Sequence, residues 1–314
     1  MNQISDKLKK NRPSLSASSL KTYTSILKSV YKSIYPEDKE IEMKKFDDAH
    51  KIFAHFKDIE FNKRKTYMSA LYILTEKKEY KNLMMQDIAK YKADQLKQEP
   101  TETQKNNWVT QAEIKEVYDK YAKNVKLLLA KNEPLTVKEL QYYQSYIILA
   151  LMSGIFIDPE RLLDWVDFKI KNINKEKDNY FQASKKGRAT IYKAVFNSYK
   201  TFKFKGQRIS DPLPKELMVI INKFLEHQTG DYLLSDSHGN QLTPVKLNQR
   251  INKIFDGRHV SCNMFRHSFL SEQYKNIPGL AEMQKTADNM GHSLAQALEY
   301  VKKIPEEKVV VDDT

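Results

Sequence analysis

The sequence predicts a mainly α-helical chain that carries one small antiparallel β-hairpin sheet and divides into two helical domains. Three observations predict this. Apolar residues recur at the three- and four-residue spacing of amphipathic helices along most of the 314 residues. That period gives way to β-branched and aromatic alternation only between Phe168 and Asp211. One stretch, KQEPTETQKNN over 97–107, has no apolar residue and one proline, the composition of a linker between domains.

In chain order, residues 1–12 are polar and lysine-rich and read as a flexible N-terminus. Ser16, Ser18 and Ser19 offer N-caps to a helix in which Leu20, Tyr23, Ile26, Leu27, Val30, Tyr31 and Ile34 share a face, and Pro36 ends it. Helical patterns at 47–56, 62–75 and 80–96 complete a four-helix unit over 13–97. Its polar faces are basic (Lys21, Lys28, Lys32, Lys63, Arg64, Lys65), as contact with a phosphate backbone requires. After the linker, 98–107, the second domain spans 108–304. Thr110 with Glu113 forms a capping box for a helix at 111–130, and another helix follows at 137–152. Strands are expected at 190–196 and 207–209, joined through Gly206, before helices at 214–226, 244–255, 262–275, 280–290 and 294–304. Gly291 suits a helix C-cap, and Ser293 starts the next helix. Residues 305–314 form a tail with the apolar triplet Val309-Val310-Val311 between charged neighbours.

Composition narrows the function. A 40% apolar and 30% charged chain is an ordinary globular one, but a formal net charge of +13 calls for a polyanionic partner. Nucleic acid comes ahead of membrane, because no aromatic-rich amphipathic anchor stands out. The single cysteine, Cys262, excludes an intramolecular disulfide or a Cys-type zinc site and fits a reducing compartment. With no signal peptide and no apolar run of membrane-spanning length, an intracellular, non-secreted protein is expected. Neither an H-E-x-x-H metal motif nor a P-loop is present.

The chemistry-bearing residues cluster near the C-terminus. Arg266-His267 is followed by Asn289-Met290-Gly291-His292-Ser293 and then by Tyr300. A guanidinium binds phosphate oxygens in a planar, bidentate fork. An imidazole donates a hydrogen bond or moves a proton near neutral pH. A phenol is a covalent nucleophile. In this order they are the parts needed to attack a phosphodiester.

Together with the helical N-terminal unit, the linker and the hairpin, these boxes resemble the tyrosine recombinase (phage integrase) family. The resemblance covers nearly the whole chain, most closely from Trp108 to Tyr300 and by architecture alone over 13–97. Phe156 occupies the place of the family's usual first arginine. However, Pro159-Glu160-Arg161-Leu162-Leu163-Asp164-Trp165 is similar to the P-x-R-x-x-D-[YW] form found in large eukaryotic DNA viruses, virophages and related mobile elements. This implies that Arg161 is the first catalytic arginine; the alternative is a surface pair with Asp158 or Asp164. The family's lysine lies at the turn of the hairpin, where it protonates the leaving 5′-oxygen. Asn197-Ser198-Tyr199-Lys200-Thr201 resembles that segment and points to Lys200, with Lys203 and Lys205 close by. Asn263-Met264-Phe265-Arg266-His267 resembles the second box. Arg266 matches its catalytic arginine, while Asn263 stands where the family has a histidine, able to donate a hydrogen bond but not to take up a proton. His267 reads as a buttress of the box.

His292 is implied to hydrogen-bond the scissile phosphate and Tyr300 to be the nucleophile, one residue closer to His292 than is usual in the family; Tyr274 is a rival with no histidine box before it. The resemblance implies a site-specific recombinase or integrase working through a 3′-phosphotyrosyl intermediate. It implies no metal or nucleotide cofactor, double-stranded DNA as partner and a tetramer on DNA. Residues 13–97 would be a core-binding domain contacting DNA through Lys21, Lys28, Lys63, Arg64 and Lys65, and 108–304 the catalytic domain. Two alternatives stay open: strand relaxation like a type IB topoisomerase, and a DNA-binding protein of the same fold made catalytically silent by Phe156 and Asn263.

Overall fold

The structure is a computed structural model that describes residues 3–96, 99–187, 189–275 and 280–302. The chain divides into two compact units, Met1–Lys97 and Gln98–Thr314.

The first unit is all α: α1 (Gln3–Asn11), α2 (Ala17–Ile34), α3 (Ala49–Phe56), α4 (Phe61–Thr75) and α5 (Lys78–Leu96), with a 3-10 turn at Met43–Asp47. Ser16 caps α2 by accepting from the Ser19 amide, as its position in the sequence suggests. The N-terminal stretch differs from expectation. It is a helix whose Ile4 and Leu8 are buried against the core of Leu27, Val30, Tyr31, Met68 and Leu71. Asn11 then fastens it by donating from Nδ2 to the carbonyls of Ile73 and Leu74, at 2.8 and 3.0 Å, at the end of α4. Two apolar residues four apart are too weak a periodicity to read, but they suffice when a groove is waiting for them.

The second unit begins with α6 (Glu102–Asn106), inside the stretch whose composition suggests a bare linker, and Thr101 and Gln104 close a capping box there. Next come α7 (Gln111–Ala130) and α8 (Val137–Met152), each opened by a capping box, Thr110 with Glu113 and Thr136 with Glu139. α8 is the central helix: every residue from Tyr143 to Met152 is buried. It is followed by α9 (Leu162–Val166) and a sheet of β1 (Phe168–Lys169), β2 (Asn179–Lys186), β3 (Ala189–Phe196) and β4 (Arg208–Ile209), in that spatial order, with α10 (Phe202–Lys205) between β3 and β4. β1 runs parallel to β2; β2–β3 and β3–β4 are antiparallel, with Tyr180 opposite Val195 and Phe196 opposite Arg208.

The two expected strands are therefore β3 and β4, but the longer hairpin is β2–β3, and β2 is the strand the sequence conceals. Its outer half, Gln182–Lys185, is exposed and, apart from Ala183, polar, so no burial pattern marks it. The remaining helices are α11 (Lys215–Leu225), α12 (Pro244–Ile254), α13 (Cys262–Gln273), α14 (Leu280–Asn289) and α15 (Leu294–Tyr300). α15 stops at Tyr300 rather than near 304, because Val301 turns extended. The tail 305–314, with Val309–311, lies outside the described residues. No helix among the described residues is long and apolar enough to cross a membrane.

Candidate active site

Local signals set each functional side chain in place. Arg161 is the N-cap residue of α9, with its backbone extended after Pro159-Glu160. Arg266 lies on the first turns of α13, whose N-cap Ser261 accepts from the Met264 amide, and it faces inward with only 1% exposure. α14 ends in a Schellman turn. The His292 amide donates to the Ala287 carbonyl and the Gly291 amide to the Asp288 carbonyl, both at 2.9 Å, and Gly291 takes φ +70°. The chain then reverses at His292, Ser293 caps α15 by accepting from Gln296, and Tyr300 closes that helix. A small core of Leu270, Tyr274, Ala287, Met290 and Ala297 binds α13, α14 and α15 together.

These elements bring Arg161, Arg266, His292 and Tyr300 to one place. The Tyr300 ring lies 4.7 Å from the Arg266 guanidinium carbon and 4.9 Å from the His292 ring. Arg161 Nη2 donates to His292 Nδ1 at 3.3 Å, so the neutral imidazole carries its proton on Nε2. Burial, with the Arg266 and Arg161 charges beside it, pushes that imidazole down to about 3, so it stays neutral across the physiological range. Several donors here are buried with no partner: Arg161 Nη1, Arg266 Nε and Nη2, and His292 Nε2. A buried, unsatisfied donor is costly, about 1–3 kcal/mol and more when charged, so a cluster of them is a site shaped for an acceptor.

His267 holds the main chain at Tyr300. Its Nδ1 donates to the Tyr300 carbonyl at 2.7 Å, and the rings sit 5.0 Å apart. Burial lowers His267 to about 4, which suits a neutral strut. Tyr274 is a core residue that donates its hydroxyl to the Met283 carbonyl at 3.0 Å. Lys302 is buried; its amide donates to Ser271 Oγ and its ammonium to the Glu299 carbonyl.

Other expected residues lie differently. Asn263 is exposed, one turn before Arg266 and on the same side of α13. Phe156 packs edge-on against Tyr118 at 5.6 Å, so the position where the family has an arginine is part of the core. Lys200 is exposed on the β3–β4 connection, whereas the β2–β3 hairpin turns at Gly187 with Lys185 just before it. Of the lysines near Lys200, it is Lys205 whose charge reaches His292.

In the first unit, Lys21, Lys28 and Lys63 are exposed. Arg64 is not available as a DNA contact. Its Nε and Nη2 fork onto the fully buried Asp87 at 2.9 and 2.8 Å, and Nη1 donates to the Lys57 carbonyl at 3.0 Å. Lys65 holds its ammonium 2.9 Å from the centre of the Tyr91 ring. The basic run at 63–65 thus contains a core strut, which no local signal reveals because nothing near Asp87 in sequence marks it as buried.

Three residues of the cluster were not legible beforehand as such. Arg208 on β4 pairs with Glu160 Oε1 at 2.6 Å, and Asp164 stands buried between the arginines with both oxygens unpartnered. Burial raises Glu160 to about 7 and Asp164 to about 6, even against the opposing pull of Arg208. Cys262 is buried, its thiol donating to the Glu160 carbonyl at 3.2 Å, and burial pushes it up to about 12, which makes it inert. Among the described residues no group of three or more His, Cys, Asp or Glu is placed to hold a metal ion.

No protein-family model and no curated protein matches the chain. Solved structures similar to it include a XerA recombinase, at TM-score 0.41 and 12% identity, covering 96% of this chain and 94% of that one. A lambda integrase dimer bound to a COC′ core site aligns at TM-score 0.48 and 13% identity, over 100% of this chain and 80% of that one. A lambda integrase(75-356) dimer on the same core site aligns at TM-score 0.47 and 12% identity, over 100% and 99%. At that identity, what the chain does rests on its own residues.

Proposed function

We propose that the chain is a site-specific DNA recombinase of the tyrosine type, acting on double-stranded DNA as a tetramer. The observation that carries this reading is the set of buried, unpartnered donors on Arg161, Arg266 and His292 gathered beside the Tyr300 ring. The boxes of the sequence that resemble the family are the segments that supply them. A phosphodiester held there meets two guanidinium groups and a neutral imidazole N–H, which oppose the charge that grows on phosphorus. The Tyr300 phenol gives up its proton to a solvent base and its oxygen bonds to phosphorus. The bond to the 5′-oxygen breaks, and that oxygen takes a proton from a lysine. Lys200 and Lys205 on the β3–β4 connection, and Lys185 at the β2–β3 turn, are the candidates for that lysine. The 3′-phosphotyrosyl bond keeps the phosphodiester energy, so a second strand's 5′-hydroxyl can reverse the step. Exposed Lys21, Lys28 and Lys63 would bind backbone phosphates. The similarity of Pro159–Trp165 to the virus and virophage form supports a mobile-element origin.

The test is covalent trapping. Full-length protein is mixed with a library of nicked duplexes randomised at the centre, and protein–DNA adducts that survive detergent are isolated and sequenced. Wild type is expected to give adducts enriched in one sequence, and Tyr300→Phe to give none while still binding DNA. Adducts from Tyr300→Phe, or none from wild type, would sink the reading.

A further inference from the structure

Arg208 has no part in the reaction as assigned above, yet it borders the same residues. Its Nη1 would lie 3.6 Å from a Cβ placed on Gly291, and the Arg161 Nη1 3.7 Å from that same point. Two guanidinium groups thus close on the glycine that precedes His292. The Arg208 side chain is held by one nitrogen: Nη1 pairs with Glu160 Oε1 at 2.6 Å and donates to the Asn289 carbonyl. The rings of Phe196 and Tyr199 flank it, 4.6 and 5.3 Å from its central carbon. The other edge, Nε and Nη2, is buried and has no partner. Arg266 presents the same edge, Nε and Nη2, in the same unsatisfied state.

An Nε/Nη2 edge is the fork that grips two oxygens of one phosphate. Nothing in the ion pair with Glu160 requires that edge to be buried and bare, and leaving it so is costly. The charges point the same way. Arg161, Arg208 and Arg266 face two buried carboxylates, Glu160 and Asp164. Even with both carboxylates ionised one positive charge is left over, so the group always holds at least the complement of one phosphodiester anion.

We propose that Arg208 is a third phosphate-binding arginine, contacting a non-bridging oxygen of the scissile phosphodiester through its Nε/Nη2 edge, with Glu160 as the positioning residue that holds its far end. The role rests on the recombinase reading above.

The experiment uses the full chain and a nicked duplex of the sequence recovered from wild-type adducts. It is made once with the natural linkage and once with a neutral methylphosphonate at the cleaved position. Arg208→Ala is expected to slow adduct formation on the natural linkage by roughly 100-fold, the scale for removing one preorganised charge-stabilising group. Most of that deficit is expected to vanish on the methylphosphonate, where the charge that Arg208 balances is absent. Arg208→Lys, which keeps the charge and loses the fork, is expected to be slowed by roughly tenfold on the natural linkage, with the same relief; it carries the comparison if melting shows that the alanine variant does not fold. A normal rate for these variants, or an equal deficit on both linkages, overturns the role of Arg208 and leaves the recombinase reading standing. No wild-type adduct at any sequence overturns both.

Discussion

At residue scale, the donors of His292 and Arg266 are already set in place. The imidazole's tautomer is set by Arg161, and the guanidinium edge of Arg266 has nothing to release. Arg161→Ala or Arg266→Ala is therefore expected to slow adduct formation by roughly 100-fold or more with little change in DNA affinity, measured by single-turnover trapping. Normal cleavage in Arg161→Ala would return that residue to the helix surface. Glu160 gives a pH prediction with a definite sign. Its carboxyl sits near 7 in the folded chain, above the ordinary 4.5, so between these values the folded state holds a proton that the unfolded state lacks. Its contribution to stability thus declines as pH rises from 4.5 to 7, by up to roughly 3 kcal/mol. Glu160→Gln should remove this decline, seen as a smaller loss of melting temperature across that window than wild type shows. Identical pH profiles would mean that Glu160 is ionised throughout. The turn that carries His292 and the start of the helix that ends in Tyr300 could be read from the sequence, because Gly291 and Ser293 carry local signals. The pairing of Arg208 with Glu160 could not, since it exists only once β4 lies beside the segment before α9.

At the scale of elements, what was readable is what is local. α7 and α8 begin and end where the sequence puts them, because Thr110 with Glu113 and the apolar run of α8 act within a few residues of themselves. β2 and α1 escaped because what fixes them is their neighbours: β2 is half polar, and α1 offers only Ile4 and Leu8. The buried pair of Arg64 on α4 and Asp87 on α5 belongs with them. Asp87→Ala is expected to destabilise the first unit by about 3–5 kcal/mol, by stranding a buried guanidinium, as read from chemical denaturation. Lys63→Ala, on the same helix but exposed, should leave stability unchanged and lower the salt slope of DNA binding by about one. If the two variants behaved alike, the division between strut and contact would be wrong. Gly291→Ala keeps ordinary contact distances to Arg208 and Arg161 but forces a side chain into φ +70°. A loss of about 1 kcal/mol is expected, together with slower adduct formation, because the turn it strains is the one that aims His292.

For the whole molecule, the two units have separate cores, one around Leu27, Tyr31 and Leu71 and one around α8. Residues 98–314 alone are therefore expected to melt cooperatively and to bind DNA more weakly than the full chain. A truncated chain that fails to fold would contradict the division at Lys97. With +13 formal charge, full-length binding should fall by roughly 1000-fold between 50 and 200 mM salt if about six phosphates are neutralised. A flat response in a fluorescence titration would argue against backbone contacts.

The three capping boxes that open α6, α7 and α8 have a kinetic consequence. Each satisfies its own helix start with residues three apart, so those helices can begin without help from the rest of the chain. Arg161, Arg208, Arg266 and His292 come together only through contacts distant in sequence, whose closure entropy is met late. In stopped-flow refolding, Thr110→Ala and Thr136→Ala should slow folding and leave unfolding nearly unchanged. Substitutions at Arg266 or His292 should act on the unfolding arm alone. This cluster of unpartnered donors would then be the last part of the second unit to form and the first to open.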